Sequence, residues 1–266
     1  MGQRKIYSNA PLALTVVELR HTATPPLSEA DQAVLKKLLA DTFPLARPAA
    51  RALNVTLAPG VAPTTEQTFD PRYMTRDTTT AVTFRADAIA VETTTYKRRS
   101  VLREILHRAV DARQHVAPAD GIARLGIRYI NEIRADIEGP ADWSKWISPA
   151  LTSVSGLRVD EGSHTQAWQG MASFGDQQRG IVLRHGNLDG YAVAPGGELR
   201  RPTPPPGPFY LLDLDSYWVP ANEMPPLDWA NIEPHYDKAA LSAYGLFEQL
   251  ITDEYREEVL REQPEQ

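Results

Sequence analysis

Asp213 and Asp215 stand two residues apart in Leu211-Leu212-Asp213-Leu214-Asp215-Ser216-Tyr217. On a strand that spacing puts both carboxylates on one face, an arrangement suited to a hard cation such as magnesium or manganese and to metal-assisted phosphoryl transfer. Such a centre needs a third acid from a neighbouring strand, for which Glu18, Glu132 and Glu92 are the candidates. The plainer reading has the two aspartates solvating a strand end or pairing with Arg128 or Arg184. It is preferred, because nothing nearby resembles a phosphate-cradling loop. No cofactor is therefore expected, with a divalent metal as the minority reading.

A second constellation is basic. Lys97, Arg98 and Arg99, continued by Arg103 and Arg108 along a helix, could contact phosphates, with Tyr96 placed to stack on a base. A net charge of −6 and interleaved acids at Glu104 and Asp111 favour a solvated helix face instead. The six histidines include no pair at i, i+2 or i, i+4, and His107 falls on the polar side of its helix. There is no Gly-x-Gly-x-x-Gly, no Walker-type lysine loop and no Gly-x-Ser-x-Gly elbow. Ser153 and Ser155 read as ordinary loop serines. The absence of cysteine from all 266 residues removes disulfides, thiolate metal sites and a cysteine nucleophile together. No stretch approaches the roughly 18 to 20 apolar residues of a membrane helix, and the start from Met1 to Ile6 lacks an apolar run. A cytoplasmic protein away from membranes is expected.

These residues need elements to position them. Leu12 to Leu19 reads as a strand, and Ser28 followed by Asp31 opens an amphipathic helix carrying Val34, Leu35, Leu38, Leu39 and Phe43. From Pro44 to about Thr80 the pattern fades into irregular chain, with one short strand near Asn54 to Leu57. Ala81 to Phe84 and Ala88 to Thr95 form a hairpin, and Ser100 caps a helix with Val101, Leu102, Ile105, Leu106, Ala109 and Val110 inward. In the strand Arg124 to Arg134, alternation turns Tyr129 and Asn131 to one face and Arg128 and Glu132 to the other. The second half reads as a meander of His164 to Phe174, Gln178 to His185 and Tyr191 to Ala194, with a turn at Asn187 to Gly190. Pro195 to Pro208 is loop; Phe209 to Val219 is strand; Asp237 caps a helix in which Ala240, Tyr244, Phe247 and Ile251 line one face and Gly245 marks a close approach. Thr252 or Asp253 caps a last segment carrying Tyr255, Val259 and Leu260. Tyr217, Trp218, Trp229 and Tyr236 crowd the turn from Pro220 to Pro226, where they cover a core end or form a partner surface.

Three stretches together resemble an uncharacterised, sporadically distributed family of prokaryotic proteins of about this length. They are Tyr7-Ser8-Asn9-Ala10-Pro11-Leu12 leading into Val16 to Arg20, the central Gly126-Ile127-Arg128-Tyr129-Ile130-Asn131, and Leu211 to Asp215 with Phe247 to Asp253. The resemblance implies a bacterial or archaeal cytoplasmic protein, often in horizontally moved gene neighbourhoods, and brings no established activity. It singles out Arg128, Tyr129 and Asn131 as a polar cluster for a ligand or for structure, with Arg128 pairing an acid such as Glu18. Glu132 stands where that family has a basic residue.

The expected fold is α+β: a mostly antiparallel sheet with helices on one face, in two closely packed halves, 1–140 and 141–266, of similar build. The expected function is non-enzymatic binding of another protein, or of a small ligand between sheet and helices, in a mobile-element, antiphage-defence or neutralising role. A homodimer is a further option. The alternatives are a metal-dependent phosphoryl-transfer or nucleotide-processing enzyme using Asp213 and Asp215, and a nucleic-acid binder through Lys97, Arg98 and Arg99.

Overall fold

A computed structural model describes residues 6–7, 9–56, 64–134, 142–163 and 165–263. In chain order the elements are β1 (Ile6–Tyr7), β2 (Leu12–His21), α1 (Glu29–Leu39), β3 (Leu45–Ala46), β4 (Ala49–Thr56), β5 (Thr64–Asp70), β6 (Arg72–Met74), β7 (Thr80–Phe84) and β8 (Ala88–Thr93). There follow α2 (Arg99–Val116), β9 (Ile122–Ile133), α3 (Pro149–Thr152), β10 (Trp168–Gly175), β11 (Arg179–Gly190), β12 (Gly207–Trp218), α4 (Trp229–Leu250) and β13 (Glu262–Gln263).

The alternation in β2 explains how the sheet is used. Ala13, Thr15, Val17, Leu19 and His21 are buried, while Val16 and Glu18 are half-buried and Arg20 is exposed. One face meets the helices and the other carries charge, as an antiparallel sheet allows. The nine-stranded sheet runs β10-β11-β12-β9-β2-β8-β7-β6-β3, antiparallel throughout. Beyond the central β9/β2 pair lie β12-β11-β10 on one side and β8-β7-β6 with the added β3 on the other. The chain order β2-α1-β6-β7-β8-α2, with β3, β4 and β5 inserted after α1, is answered by β9-α3-β10-β11-β12-α4, so this repeat divides between α2 and β9 and not at residue 140. The fold is therefore α+β, with both halves sharing one sheet. Two core clusters lie on the helix side, one around Val17, Leu106, Ile127 and Tyr236, the other around Trp143, Leu183, Leu212 and Tyr255. Among the described residues no helix is long and apolar enough to cross a membrane.

Several local expectations needed correction. The stretch from Pro44 to Thr80 contains β3, β4, β5 and β6, held by pairing with nearby strands, β4 with β5 and β6 with β3 and β7, and not marked by periodicity. Leu57, the end of the expected short strand, and His164, the start of a later one, lie outside the described residues. Arg98, not Ser100, occupies the cap position of α2, and it offers the helix no side-chain acceptor. Val34, Leu38 and Val101 are exposed, so the buried stripes of α1 and α2 are narrower than their apolar sequences. Asn187 to Gly190 makes no turn: β11 runs straight through to Gly190, opposite Gly207 of β12, and Tyr191 to Ala194 is loop. Asp228 caps α4, which starts two turns before Asp237 and accommodates Pro234. Open space, not a close neighbour, faces Gly245. Thr252 does cap its segment, accepting from the Tyr255 N–H at 3.2 Å, although that segment is a π-helix over Tyr255–Leu260.

The proline-rich loop 191–206 is pinned against the rest of the chain by polar contacts. Arg201 reaches Glu132 of β9, Glu198 pairs with Arg72 of β6, and the Thr94 hydroxyl donates to the Arg200 carbonyl at 2.6 Å.

Candidate functional site

Asp213 and Asp215 do share a face, the charged one, and each is held by arginine. Both Asp213 oxygens accept from Arg128, Nε and Nη2 at 2.7 Å each, and Arg184 stands 3.6 Å away. The Asp213 side chain is only 2% exposed, so its strand has not emerged into water. Asp215 accepts from Arg124 Nη2 at 3.1 and 3.3 Å. Glu18 takes Arg20 at 2.6 Å and Arg85 at 3.1 Å, so Arg128 pairs with Asp213 and not with Glu18. Glu132 is engaged by Arg134 and Arg201, and Glu92 by Arg72. This is an alternating lattice of guanidinium and carboxylate across β2, β9, β12 and β11, in which the planar guanidinium forks neutralise the carboxylates. Gly126 belongs to it: a Cβ there would press on the Arg124 guanidinium that reaches Asp215. Hydrogen bonding to Asp213 raises the Arg128 pKa further. Among the described residues no three His, Cys, Asp or Glu side chains group as metal ligands.

The opposite face holds a cavity of about 310 Å³, where the two cores meet. Its sheet floor is Tyr129 and Asn131 of β9 with Leu214 of β12, all buried. Ala240, Ala243, Tyr244 and Phe247 of α4 form one wall. Tyr96 to Ser100, entering α2, form another, and Tyr7, Ala10, Pro11 and Leu12 close the site from the N-terminal side. Ala240 and Ala243, both buried, are the smallest side chains of this wall. Asn131 has the partner its burial demands: Nδ2 donates to the Leu212 carbonyl at 2.9 Å. Tyr96 meets Tyr129 edge-on at 5.7 Å, which extends the apolar floor toward α2. The Tyr7 hydroxyl donates to Glu248 at 2.7 Å, and burial and that carboxylate together hold it protonated far above its ordinary range.

Charge is one-sided here. Lys97 and Arg98 are exposed, line the cavity, and have no acidic partner among the described residues. Arg99 stands 3.6 Å from Asp237. No acid sits in the first turn of α2, whose leading N–H groups and positive dipole end add to these cations. Farther along the helix the basic run is neutralised, Arg103 by Glu233 and Asp237 and Arg108 by Asp41. Among the described residues no carboxylate or imidazole lines the cavity. The cavity thus presents cations beside a largely apolar floor.

Two groups singled out separately in the sequence, Lys97 to Arg99 and Tyr129 with Asn131, thus come together, while Arg128 faces away with Asp213. The sequence puts Ala240, Tyr244 and Phe247 on one face of the last helix, and with Ala243 they form the α4 wall; that this face lines a cavity is decided only by the tertiary structure. Trp218, Tyr236 and Trp229 belong to or pack against one core cluster, as the core-covering reading has it: Trp218 stacks on His235 at 3.5 Å, Trp229 on His107 at 4.3 Å, and buried Tyr236 donates to the Arg99 carbonyl. The Ser155 hydroxyl donates to the Thr152 carbonyl, a local loop bond. No protein-family model matches the chain, and no curated protein matches it by sequence.

Proposed function

We propose that this is a cytoplasmic, non-enzymatic binding protein that takes a small organic anion into the cavity between α2 and α4. The acidic head sits against Lys97, Arg98 and the open N-terminus of α2, and the apolar body lies on Leu214, Ala243 and Phe247. The observation that carries this reading is the pair of exposed cations, Lys97 and Arg98, that line an apolar cavity with no acidic partner among the described residues. Tyr129 and Asn131, from the stretch resembling the prokaryotic family, both line it. Pockets of this kind, apolar with a few convergent polar groups between structural halves, are where small ligands bind.

Titration with 1-anilinonaphthalene-8-sulfonate, an aromatic anion that fluoresces in apolar surroundings, tests it. The chain should bind one equivalent. Ala243→Trp fills the cavity and should abolish binding, and Lys97→Glu with Arg98→Glu should weaken it about tenfold or more, a loss near ~1.4 kcal/mol. Fluorescence unchanged in Ala243→Trp would sink the proposal.

A further inference from the structure

The two edges of the large sheet differ. At one end β3 is two residues long. At the other, β10 spans eight residues, Trp168-Gln169-Gly170-Met171-Ala172-Ser173-Phe174-Gly175, and pairs only with β11 among the described residues. Edge strands are ordinarily blunted by lysine, proline, a bulge or brevity, because their free N–H and C=O groups template pairing with another chain. β10 has none of these: it carries no charge and no proline, and its register with β11 is unbroken over all eight residues. Met171 is 70% exposed and Phe174 47%. Just before the strand, Leu157 and Val159 are 67% and 96% exposed, and the Thr165 hydroxyl, donating to the Val154 carbonyl, ties that segment to the start of β10.

We infer that β10 pairs antiparallel with β10 of a second copy of this chain, extending the sheet across a symmetric dimer. The sequence is self-complementary when the two-fold axis passes through Met171. Trp168 then opposes Phe174 twice, Gly170 opposes Ala172, Gln169 opposes Ser173, and no charged residue of the strand meets another. Parity is preserved, so side chains that face the helices in one copy meet side chains that face them in the other. At ~200 Å² per large side chain, Met171, Phe174, Leu157 and Val159 together expose roughly 500 Å² per copy, so a dimer that covered all four would bury about 1,000 Å² in the pair, the order a specific interface requires.

Sedimentation velocity of the full chain between 1 and 100 µM tests this directly. The expected result is a concentration-dependent species of twice 29.5 kDa. Met171→Lys, at an exposed position, should keep the wild-type ellipticity and melting temperature yet raise the dimer dissociation constant about tenfold or more, since two like charges then face each other at the axis. Because the chain has no cysteine, single substitutions report the register. Met171→Cys, self-opposed at about 4.5–5.5 Å between Cα atoms, should cross-link on oxidation, whereas Gln169→Cys, opposed by Ser173, should not. A monomer at 100 µM, a Met171→Lys protein that stays dimeric, or equal cross-linking of the two cysteine variants overturns the inference. A monomer would also be the outcome if a foreign strand, and not a second copy, is the occupant of this edge.

Discussion

Replacing Asp213 by asparagine separates a structural ion lattice from a metal site by the sign of its effect. The carboxylate is 2% exposed and takes two guanidinium bonds at 2.7 Å. A hydrogen bond to a charged group is worth about 1.5–3 kcal/mol, and stripping one partner from a fully buried pair costs about 3–5 kcal/mol. Arg128 and Arg184 keep 45% and 46% exposure, so water recovers part of the loss, and asparagine retains one acceptor oxygen. The expected cost of Asp213→Asn is therefore about 2 kcal/mol, or a melting temperature lower by roughly 4–8 °C. Urea denaturation of wild type, Asp213→Asn, Arg128→Met and the double variant gives the coupling directly, and about 1–2 kcal/mol is expected. Asp215→Asn should cost less, because its bonds are longer and its side chain is 23% exposed. In a metal site the acids repel one another without the ion, so Asp213→Asn would stabilise the metal-free chain and Mn²⁺ would raise its melting temperature. Stabilisation by Asp213→Asn, or Mn²⁺ heat in calorimetry that disappears in Asp213→Ala/Asp215→Ala, would refute the lattice reading.

Two further outcomes are expected. Burial holds His21, His185 and His235 below the ordinary imidazole range, with Arg179 contributing at His235. The folded state thus binds fewer protons than the unfolded one below about pH 6.5, so stability complete above that pH should be lost as pH falls toward 5; a melting temperature flat between pH 7 and 5 contradicts this. Ser28→Ala removes the acceptor for the Asp31 N–H and one side of a reciprocal cap at α1, and should cost about 1 kcal/mol in urea denaturation, with no loss indicating that the cap is not formed in solution.

The Ser28/Asp31 cap was legible because it depends on residues three apart. So were the alternation of β9, which turns Tyr129 and Asn131 opposite to Arg128, and the burial of Leu102, Leu106, Ala109 and Val110 along α2. Less was legible where local and distant preferences compete. Asn187 to Gly190 has every residue of a turn, yet β12 continues the ladder past it, and backbone bonds to a neighbouring strand outweigh turn preference. Asp237 resembles a cap, but Asp228 provides one earlier, and burial of Ile232 and Tyr236 carries the helix over Pro234. The pairing of Asp213 with Arg128 was among the sequence alternatives; that Glu18 belongs to Arg20 and Arg85 was not.

By itself the sequence determined the class of the fold, the position of most strands and helices, and the chemistries that zero cysteine and missing motifs remove. Those properties follow from residue type and short-range periodicity, which act within a few residues. Only the tertiary structure decided which arginine neutralises which acid, that Lys97 and Arg98 remain unmatched, and that they share a cavity with Tyr129, Asn131 and two alanines of α4. The reason is register. A shift of one residue between β9 and β12 would turn Asp213 from the charged face to the cavity, and register is set by the summed burial of a whole sheet and not by any local run of residues.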